Sequence, residues 1–430
     1  MIILGIDIGT TGIGAALLDT DNCRITKTVT RQNKATLPGK YPFEKIQSSE
    51  IIYECVCSII EDLGKDVSVI GFTGQMHGIV YTDKTGNAIS PLYTWQDSRG
   101  GKEFKDGKTY ASYLGCFPGY GLSTAFYNRN NNLEPENAAY ICTIADYVAM
   151  KLCGNKSPLI HITNAASLGC FDIGTNRFTA DEPMLPPVTA DFELIGKTAG
   201  GIPVCVAIGD NQASFIGSVP YYDGALLNVG TGAQISFAAK ETVRSDGVEM
   251  RPLDGSLLLA AGCSLCGGRA FAIFEKFCRN IVRAATGKDE SFYPVLDRID
   301  YPTLTDIPTV DTRFCGTRGK ACITGGISGL TESNFNFENL AFGMLDGIIG
   351  ELKSMYPYND TARLICSGNG FGKNPILFKL AAKHFGAEPF AAVYDEEAAA
   401  GACFSAGLAC GEYKNSADFA PAIGISACGK

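Results

Sequence analysis

The chain has 430 residues, 46% hydrophobic and 19% charged, with 36 Lys plus Arg against 45 Asp plus Glu and a net charge of −9. Such a length exceeds one hydrophobic core, which stops growing at roughly 250–300 residues, and the apolar content excludes bulk disorder. The acidic balance, without basic runs, excludes a nucleic-acid or membrane-surface role, so a polyanionic small ligand would need backbone donors or a metal.

The first predicted elements are short apolar strands at 2–6 and 13–18 joined by the turn Asp7-Ile8-Gly9-Thr10-Thr11-Gly12. Apolar residues at three- and four-residue spacing predict a helix over 47–63. A strand over 67–72 enters Gly74-Gln75-Met76-His77-Gly78, and a strand over 79–81 follows. A helix is expected over 137–152. Val204 to Ile208 reads as a buried strand stopping at Gly209-Asp210-Asn211, with helical spacing resuming through Phe215. The opening pattern then returns: strand 225–229, turn Gly230-Thr231-Gly232, strand 233–238. This internal echo places a boundary near 218 and predicts two domains, 1–217 and 218–430. Helices are expected over 268–285 and about 337–355, with a loop-rich stretch at 287–335 between them. A strand over 364–366 enters Ser367-Gly368-Asn369-Gly370-Phe371-Gly372 and a helix running through Phe385. An Ala/Gly-rich helix at about 396–410 and a loose tail over 411–430 close the chain.

Glycine is in excess, 50 residues against a usual share of about 7%, and clusters at strand ends. The 17 cysteines are odd in number and sit in apolar runs, as at Cys142, Cys205, Cys366 and Cys403, which reads as free buried thiols in a reducing compartment. Cys263/Cys266 and Cys55/Cys57 have metal-like spacings, but no second CxxC pair and only three histidines accompany them, so zinc is not assigned. The N-terminus lacks a basic segment followed by a cleavable apolar run, and no apolar run approaches the ~20 residues of a membrane span. A cytoplasmic protein without membrane or nucleic-acid partners is expected. Its oligomeric state stays open, with a homodimer as one option.

The two Gly/Thr turns expose backbone N–H groups and hydroxyls that can ring an anion. Either alone reads as an ordinary hairpin turn; their duplication favours two phosphate loops. Asp7, inside the first, suits water-mediated Mg²⁺ or an Asx-turn. Asp210 sits at the C-terminal end of a strand, on the ligand side of an α/β sheet. There it would accept a hydroxyl proton during phosphoryl transfer or cap the helix. Gly74–Gly78 and Thr94-Trp95-Gln96-Asp97-Ser98-Arg99 gather groups that can hydrogen-bond a polyol and stack on its apolar face. His77 reads equally as a packed core residue, and Arg99 as an ion-pair partner of Asp97. Gly368-Asn369-Gly370-Phe371-Gly372 is a weak dinucleotide signal and fits better as a nucleotide-facing loop, with Gly267 and Gly268 as another close-approach surface.

LGIDIGTTG (4–12), GQMHG (74–78), AIGDNQAS (207–214), LLNVGTG (226–232), SGNGFGKN (367–374) and EEAAAGACFSAG (396–407) together resemble the motifs of the FGGY carbohydrate kinases, within the actin-like ATPase superfamily. The resemblance runs from residue 2 to about 410. TWQDSR (94–99), ADYVAMKLCG (145–154) and TNAASLGCFD (163–172) are similar to the branch that phosphorylates sedoheptulose. It implies an α/β fold of two ribonuclease-H-like domains with a central cleft, an N-terminal sugar-binding and catalytic domain, and a C-terminal nucleotide-binding domain. The implied activity is ATP-dependent phosphorylation of a ketose at its terminal hydroxyl, with Mg²⁺. Xylulose or another polyol is the alternative acceptor; a nucleotide switch or a sugar sensor is the alternative outside catalysis. By motif match Asp210 would be the general base. Asp7 and Asp210 would place Mg²⁺. Thr10, Thr11, Gly230, Thr231, Gly232, Gly268, Gly368, Gly370 and Asn374 would face the nucleotide. Gln75, Met76, His77, Trp95, Asp97 and Asn211 would face the sugar. The family often has Lys or Arg shortly after the first Thr pair; Ile13 and Gly14 stand here instead, which shifts phosphate neutralisation to Mg²⁺ and backbone donors.

Overall fold

Ile2–Ile8 runs antiparallel to Gly12–Asp19 and parallel to Val69–Gly74, and these strands centre the first sheet. In the computed structural model, which describes residues 1–317 and 322–428, the sheet order is Leu194–Lys197, Pro203–Cys205, Val69–Gly74, Ile2–Ile8, Gly12–Asp19 and Arg24–Gln32. Ile208–Gly209 also pairs in parallel with the end of Val69–Gly74. Arg24–Gln32 lacks the apolar run that marks Ile2–Ile8; it lies at the sheet edge and is mostly polar, so its sequence carries no strand signal. The helix Ser49–Leu63 starts where Ser48 accepts from the Ile51 N–H, and it buries Ile52, Val56 and Ile59 against the sheet.

The second half repeats the arrangement. Ala225–Val229 is antiparallel to Ala233–Ala239 and parallel to Leu364–Ser367. Its sheet continues through Pro389–Ala392 to Ile425–Ala427, with Leu258–Ser264 beyond Ala233–Ala239. The helices Gly267–Thr286 and Phe337–Ser354 contribute Phe271, Phe274, Leu345, Ile348 and Leu352 to one core with these strands.

The chain divides into two compact units. Met1–Tyr222, Arg251–Leu258 and Tyr394–Gly424 form the first; Asp223–Met250, Leu259–Val393 and the stretch from Ile425 form the second. The single cut at 217/218 therefore misplaces the closing helix, Glu397–Ala409, which belongs to the first unit. Its small residues seat it at backbone contact. A Cβ on Gly5 would lie 1.9 Å from the Ala399 carbonyl oxygen, and one on Gly71 2.0 Å from that of Ala402. Much of the glycine excess thus serves close packing of helix on sheet.

Two other expectations are corrected, at 137–152 and in the tail, and the loop-rich stretch at 287–335 is borne out. Residues 140–142 form a strand against Val80–Thr82, and the helix begins only at Ile144, because Thr143 and Asp146 make a reciprocal capping box there. The stretch 287–335 contains a short helix, Tyr293–Leu296, and the paired strands Thr309–Asp311 and Gly326–Ser328; 318–321 lie outside the described residues. The tail is anchored: Phe419 is fully buried and stacks on Phe404 at 4.6 Å, and Ile425–Ala427 pairs with Pro389–Ala392.

Candidate active site

In the first unit, the turn after Ile2–Ile8 is tied down by Asn33. Its side-chain amide donates to the Gly9 carbonyl at 2.9 Å and its backbone N–H to that of Thr11 at 2.9 Å. Gly9 is required sterically, since a Cβ would lie 2.7 Å from the Gly12 oxygen. The Thr10 hydroxyl accepts from Trp95 Nε1 at 3.0 Å and donates to Gln75 Oε1 at 3.4 Å. Gln75 in turn donates to Gln47 Oε1 at 3.0 Å, and Gln47 donates to the Thr10 carbonyl at 2.8 Å. The Thr10 side chain is thus engaged by Trp95 and Gln75. Trp95 remains 47% exposed, with its ring open to a ligand.

Asp7, Gly14 and Thr30 are register partners across three adjacent strands. Glu396 lies over Gly14, its carboxylate accepting from the Thr30 hydroxyl; a Cβ on Gly14 would stand 1.9 Å from Glu396 Oε2. A carboxyl group therefore occupies the space over Gly14, beside the first loop. Asp7 Oδ1 is shut off from solvent with no hydrogen-bond partner. Burial, then the Asp210 and Glu396 carboxylates, push the Asp7 carboxyl up to about 8. Glu396 is also raised, by burial first.

Asp210 opens the helix Asp210–Ser218 directly after Ile208–Gly209. Thr73 donates to the Ile208 carbonyl at 2.9 Å and the Gly209 N–H donates to Thr163 Oγ1 at 3.0 Å, which fixes the direction of the turn. Burial raises the Asp210 carboxyl to about 6, held there against the opposing pull of the Arg251 guanidinium and the Asn211 N–H. Arg251 also donates to Asn211 Oδ1 at 3.2 Å, and Gln212 donates to the Pro252 carbonyl at 2.8 Å. Met76 reaches the same turn: a Cβ on Gly209 would meet its Sδ and Cε at 2.8 Å.

His77 has φ +71, in the left-handed region. Its N–H donates to Ser167 Oγ at 3.1 Å, its Nδ1 lies 2.8 Å from the Ser167 carbonyl, and its ring stacks on Tyr120 at 4.4 Å. A bulky residue is held in that backbone conformation by surrounding contacts, which is common at functional loops. Asp97 is placed differently from the expectation. It is 1% exposed and pairs with Arg99 through both carboxylate oxygens at 2.8 and 3.0 Å, while also accepting from the Arg99 and Lys45 N–H groups. Arg99 donates to Asn128 at 2.5 Å and lies over the Tyr93 ring at 4.2 Å. Asp97 is therefore an internal tie beneath the Trp95 loop rather than a group facing the sugar.

In the second unit, a cavity of about 710 Å³ is lined by Gly230, Thr231, Gly268, Gly370 and Asn374 of the expected nucleotide residues. Gly232 and Gly368 are not among the lining residues; the Gly232 carbonyl accepts from the Gly230 N–H at 2.9 Å, and the Gly368 carbonyl from the Phe371 N–H at 3.2 Å. The Gly268 N–H donates to the Gly230 carbonyl at 2.9 Å, and a Cβ on Gly370 would lie 2.5 Å from Val229 Cγ1. Residues of three glycine turns so contribute to the cavity lining. Leu345, Ile348 and Leu377 give it an apolar lining. Arg269 and Lys373 bring two cations to this cavity, and Tyr293 an aromatic ring. Arg251 lies outside every sequence motif; Lys373 stands inside one, and Arg269 directly follows the Gly267-Gly268 pair.

No group of three or more His, Cys, Asp or Glu among the described residues is arranged to hold a metal directly. The orphaned Asp7 oxygen, with Asp210 nearby, instead fits a divalent cation held largely through water, as Mg²⁺ usually is. No helix among the described residues is long and apolar enough to cross a membrane.

Residues 2–217 match the model of the FGGY family of carbohydrate kinases, N-terminal domain. The chain is 27% identical to the sedoheptulokinase of Homo sapiens, over 87% of this chain and 91% of that one. It is 23% identical to the xylulose kinase of Lactococcus lactis, over 95% and 88%. Among solved structures, a ligand-bound xylulose kinase from Lactobacillus acidophilus superposes with a TM-score of 0.79 at 19% identity, over 99% of this chain and 92% of that one. A glycerol kinase of Plasmodium falciparum with ADP gives 0.76 at 18% identity, over 99% and 93%.

Proposed function

The chain belongs to the FGGY family of carbohydrate kinases, with their α/β actin-like, ribonuclease-H-like ATPase fold and ATP-dependent sugar phosphotransferase activity, and we propose that its acceptor is a ketose phosphorylated at a terminal hydroxyl. Sedoheptulose, giving the 7-phosphate, is the first choice, supported by similarity to sedoheptulokinases across most of both chains. Xylulose is the second.

The observation that carries the chemistry is Asp210. Its carboxyl, raised to about 6, is mostly ionised at neutral pH and still basic enough to take a proton. It accepts the proton of the attacking hydroxyl, while the Asn211, Gln75, His77 and Trp95 side chains orient the acceptor. Met76 closes the apolar side under Gly209. The nucleoside takes the second unit's cavity, where the Gly230–Gly232, Gly268 and Gly370 turns admit close backbone approach and Leu345, Ile348 and Leu377 contact the base. Arg269 and Lys373 neutralise phosphate charge there. Asp7 and Asp210 are the residues that would hold Mg²⁺, largely through its waters, and the ion would supply charge neutralisation to the phosphates. Water exclusion on substrate binding favours the sugar hydroxyl over hydrolysis.

Asp210→Asn tests this reading. Transfer should fall by about 10²–10⁴-fold, the usual worth of a general base, while ATP binding measured by calorimetry is retained. Substantial turnover by the variant would refute the assignment.

A further inference from the structure

Cys116 and Cys170 lie 54 positions apart in sequence, yet their Sγ atoms are 3.3 Å apart, and both thiols point at the Leu114 carbonyl, at 3.8 and 3.6 Å. The chain is shaped to bring them there. Cys116 follows the helix Tyr110–Leu114 and its left-handed Gly115. Cys170 follows Ile162–Leu168 and Gly169 and itself has φ +47. Gly169 is where the Cys116 sulfur fits: a Cβ there would stand 2.7 Å from it. Both residues are half-buried.

The elements carrying these thiols also hold His77. Tyr120, four residues after Cys116, stacks on its ring; Ser167, three residues before Cys170, takes the His77 N–H and meets its Nδ1. We propose that Cys116 and Cys170 form a peroxide-responsive dithiol/disulfide pair that adjusts acceptor binding through the His77 loop. The control of acceptor binding rests on the kinase reading above; the thiol chemistry does not.

Cys170 is the reacting member. A hydrogen bond from Cys116 draws its thiol down to about 7 and pushes Cys116 up, which gives Cys170 the larger thiolate fraction. The Cys170 thiolate attacks one oxygen of a hydroperoxide, the O–O bond breaks, and hydroxide or alkoxide leaves, with the Cys170 sulfenic acid formed. The Cys116 sulfur then attacks the sulfenic sulfur. The S–O bond breaks, the oxygen departs as water with the Cys116 proton, and the disulfide forms. A dithiol reductant reverses it by exchange. Closing the sulfurs from 3.3 Å to the bonded distance of about 2.05 Å draws the two helix ends together and so shifts Tyr120 and Ser167 against His77.

The full chain is treated with limiting hydrogen peroxide, free thiols are blocked, and non-reduced peptides are mapped by mass spectrometry. The expected result is a Cys116–Cys170 linked peptide, removed by dithiothreitol and absent from Cys116→Ser and Cys170→Ser. The Cys266–Cys315 pair, 3.7 Å apart with Cys266 pushed up to about 12, should react later. In the oxidised protein KM for the ketose should change by up to about tenfold, the worth of one hydrogen bond, with KM for ATP unmoved. The Cys116→Ser/Cys170→Ser double variant should keep its ketose KM under peroxide. Absence of the linked peptide, prior linkage of Cys266 to Cys315, or an unchanged ketose KM in the mapped disulfide form overturns the proposal. If no ketose is phosphorylated at all, the peptide map still decides the thiol pair.

Discussion

Arg251→Met isolates the electrostatics of the proposed base. Arg251 is buried and its guanidinium opposes the burial that raises the Asp210 carboxyl to about 6. A neighbouring opposite charge typically lowers a carboxyl by about 1–3 units. Arg251 also engages Asn211, so the lower figure applies, and its loss should move Asp210 from about 6 to about 7. The ionised fraction then falls about fivefold at pH 6 and about twofold at pH 7, with little change near pH 8.5. The sign follows from the role: a base works deprotonated, so kcat/KM rises with pH through the free-enzyme value, and raising that value shifts the acid limb upward. The assay is kcat/KM for the ketose from about pH 5.5 to 9 by coupled ADP release, with thermal melts to confirm folding. A uniform loss at every pH, with the limb unmoved, would refute the electrostatic role and leave Arg251 as a packing residue.

Two other carboxylates, with different partners, give predictions of their own. Asp97→Ala leaves the Arg99 guanidinium buried without its bidentate partner, so stability in urea denaturation should drop by about 3–5 kcal/mol; a loss below about 1 kcal/mol would show that Asp97 is not the internal tie described. Asp7, at about 8 when folded against 3.8 as a free group, holds its proton in the folded state. Its favourable contribution is complete below about pH 4 and is lost as the pH rises through about 8. In cation-free, nucleotide-free protein, Asp7→Asn should therefore gain melting temperature relative to the unaltered chain between pH 5 and 9, and added Mg²⁺ should narrow the gap; a pH-independent difference contradicts this.

The repeated strand–turn–strand pattern at 2–18 and 225–238 is readable because short apolar runs and Gly/Thr turns signal both strand and loop, and the structure repeats the same pairing in each unit. The edge strand Arg24–Gln32 is not readable, since an edge exposes polar residues and removes the apolar alternation. The place of Glu397–Ala409 in the first unit is hidden for a different reason. Local sequence shows that a helix is rich in Ala and Gly, but not which glycines it meets, and its partners Gly5, Gly71 and Gly217 are far away in the chain. Motif residues such as Asp7, Gln75 and Asp210 in the first unit and Gly230 in the second are marked by their loops. Arg251 and Arg269 stand on an edge strand and in the first turn of a helix, where no local spacing marks them; Glu396 lies inside a quoted motif, but its place over Gly14 is a contact between distant parts of the chain. Asp97 looks like a ligand because it stands among donors; its bidentate partner two residues on decides otherwise.

The most direct measurement of the central claim is coupled ADP release with Mg-ATP across C5 to C7 ketoses and polyols, with the phosphorylated product located by ³¹P–¹H NMR. The account predicts ADP release that requires a ketose, is highest with sedoheptulose, and yields phosphate on the terminal carbon. ADP release independent of any sugar, or no turnover with any ketose or polyol, would contradict it.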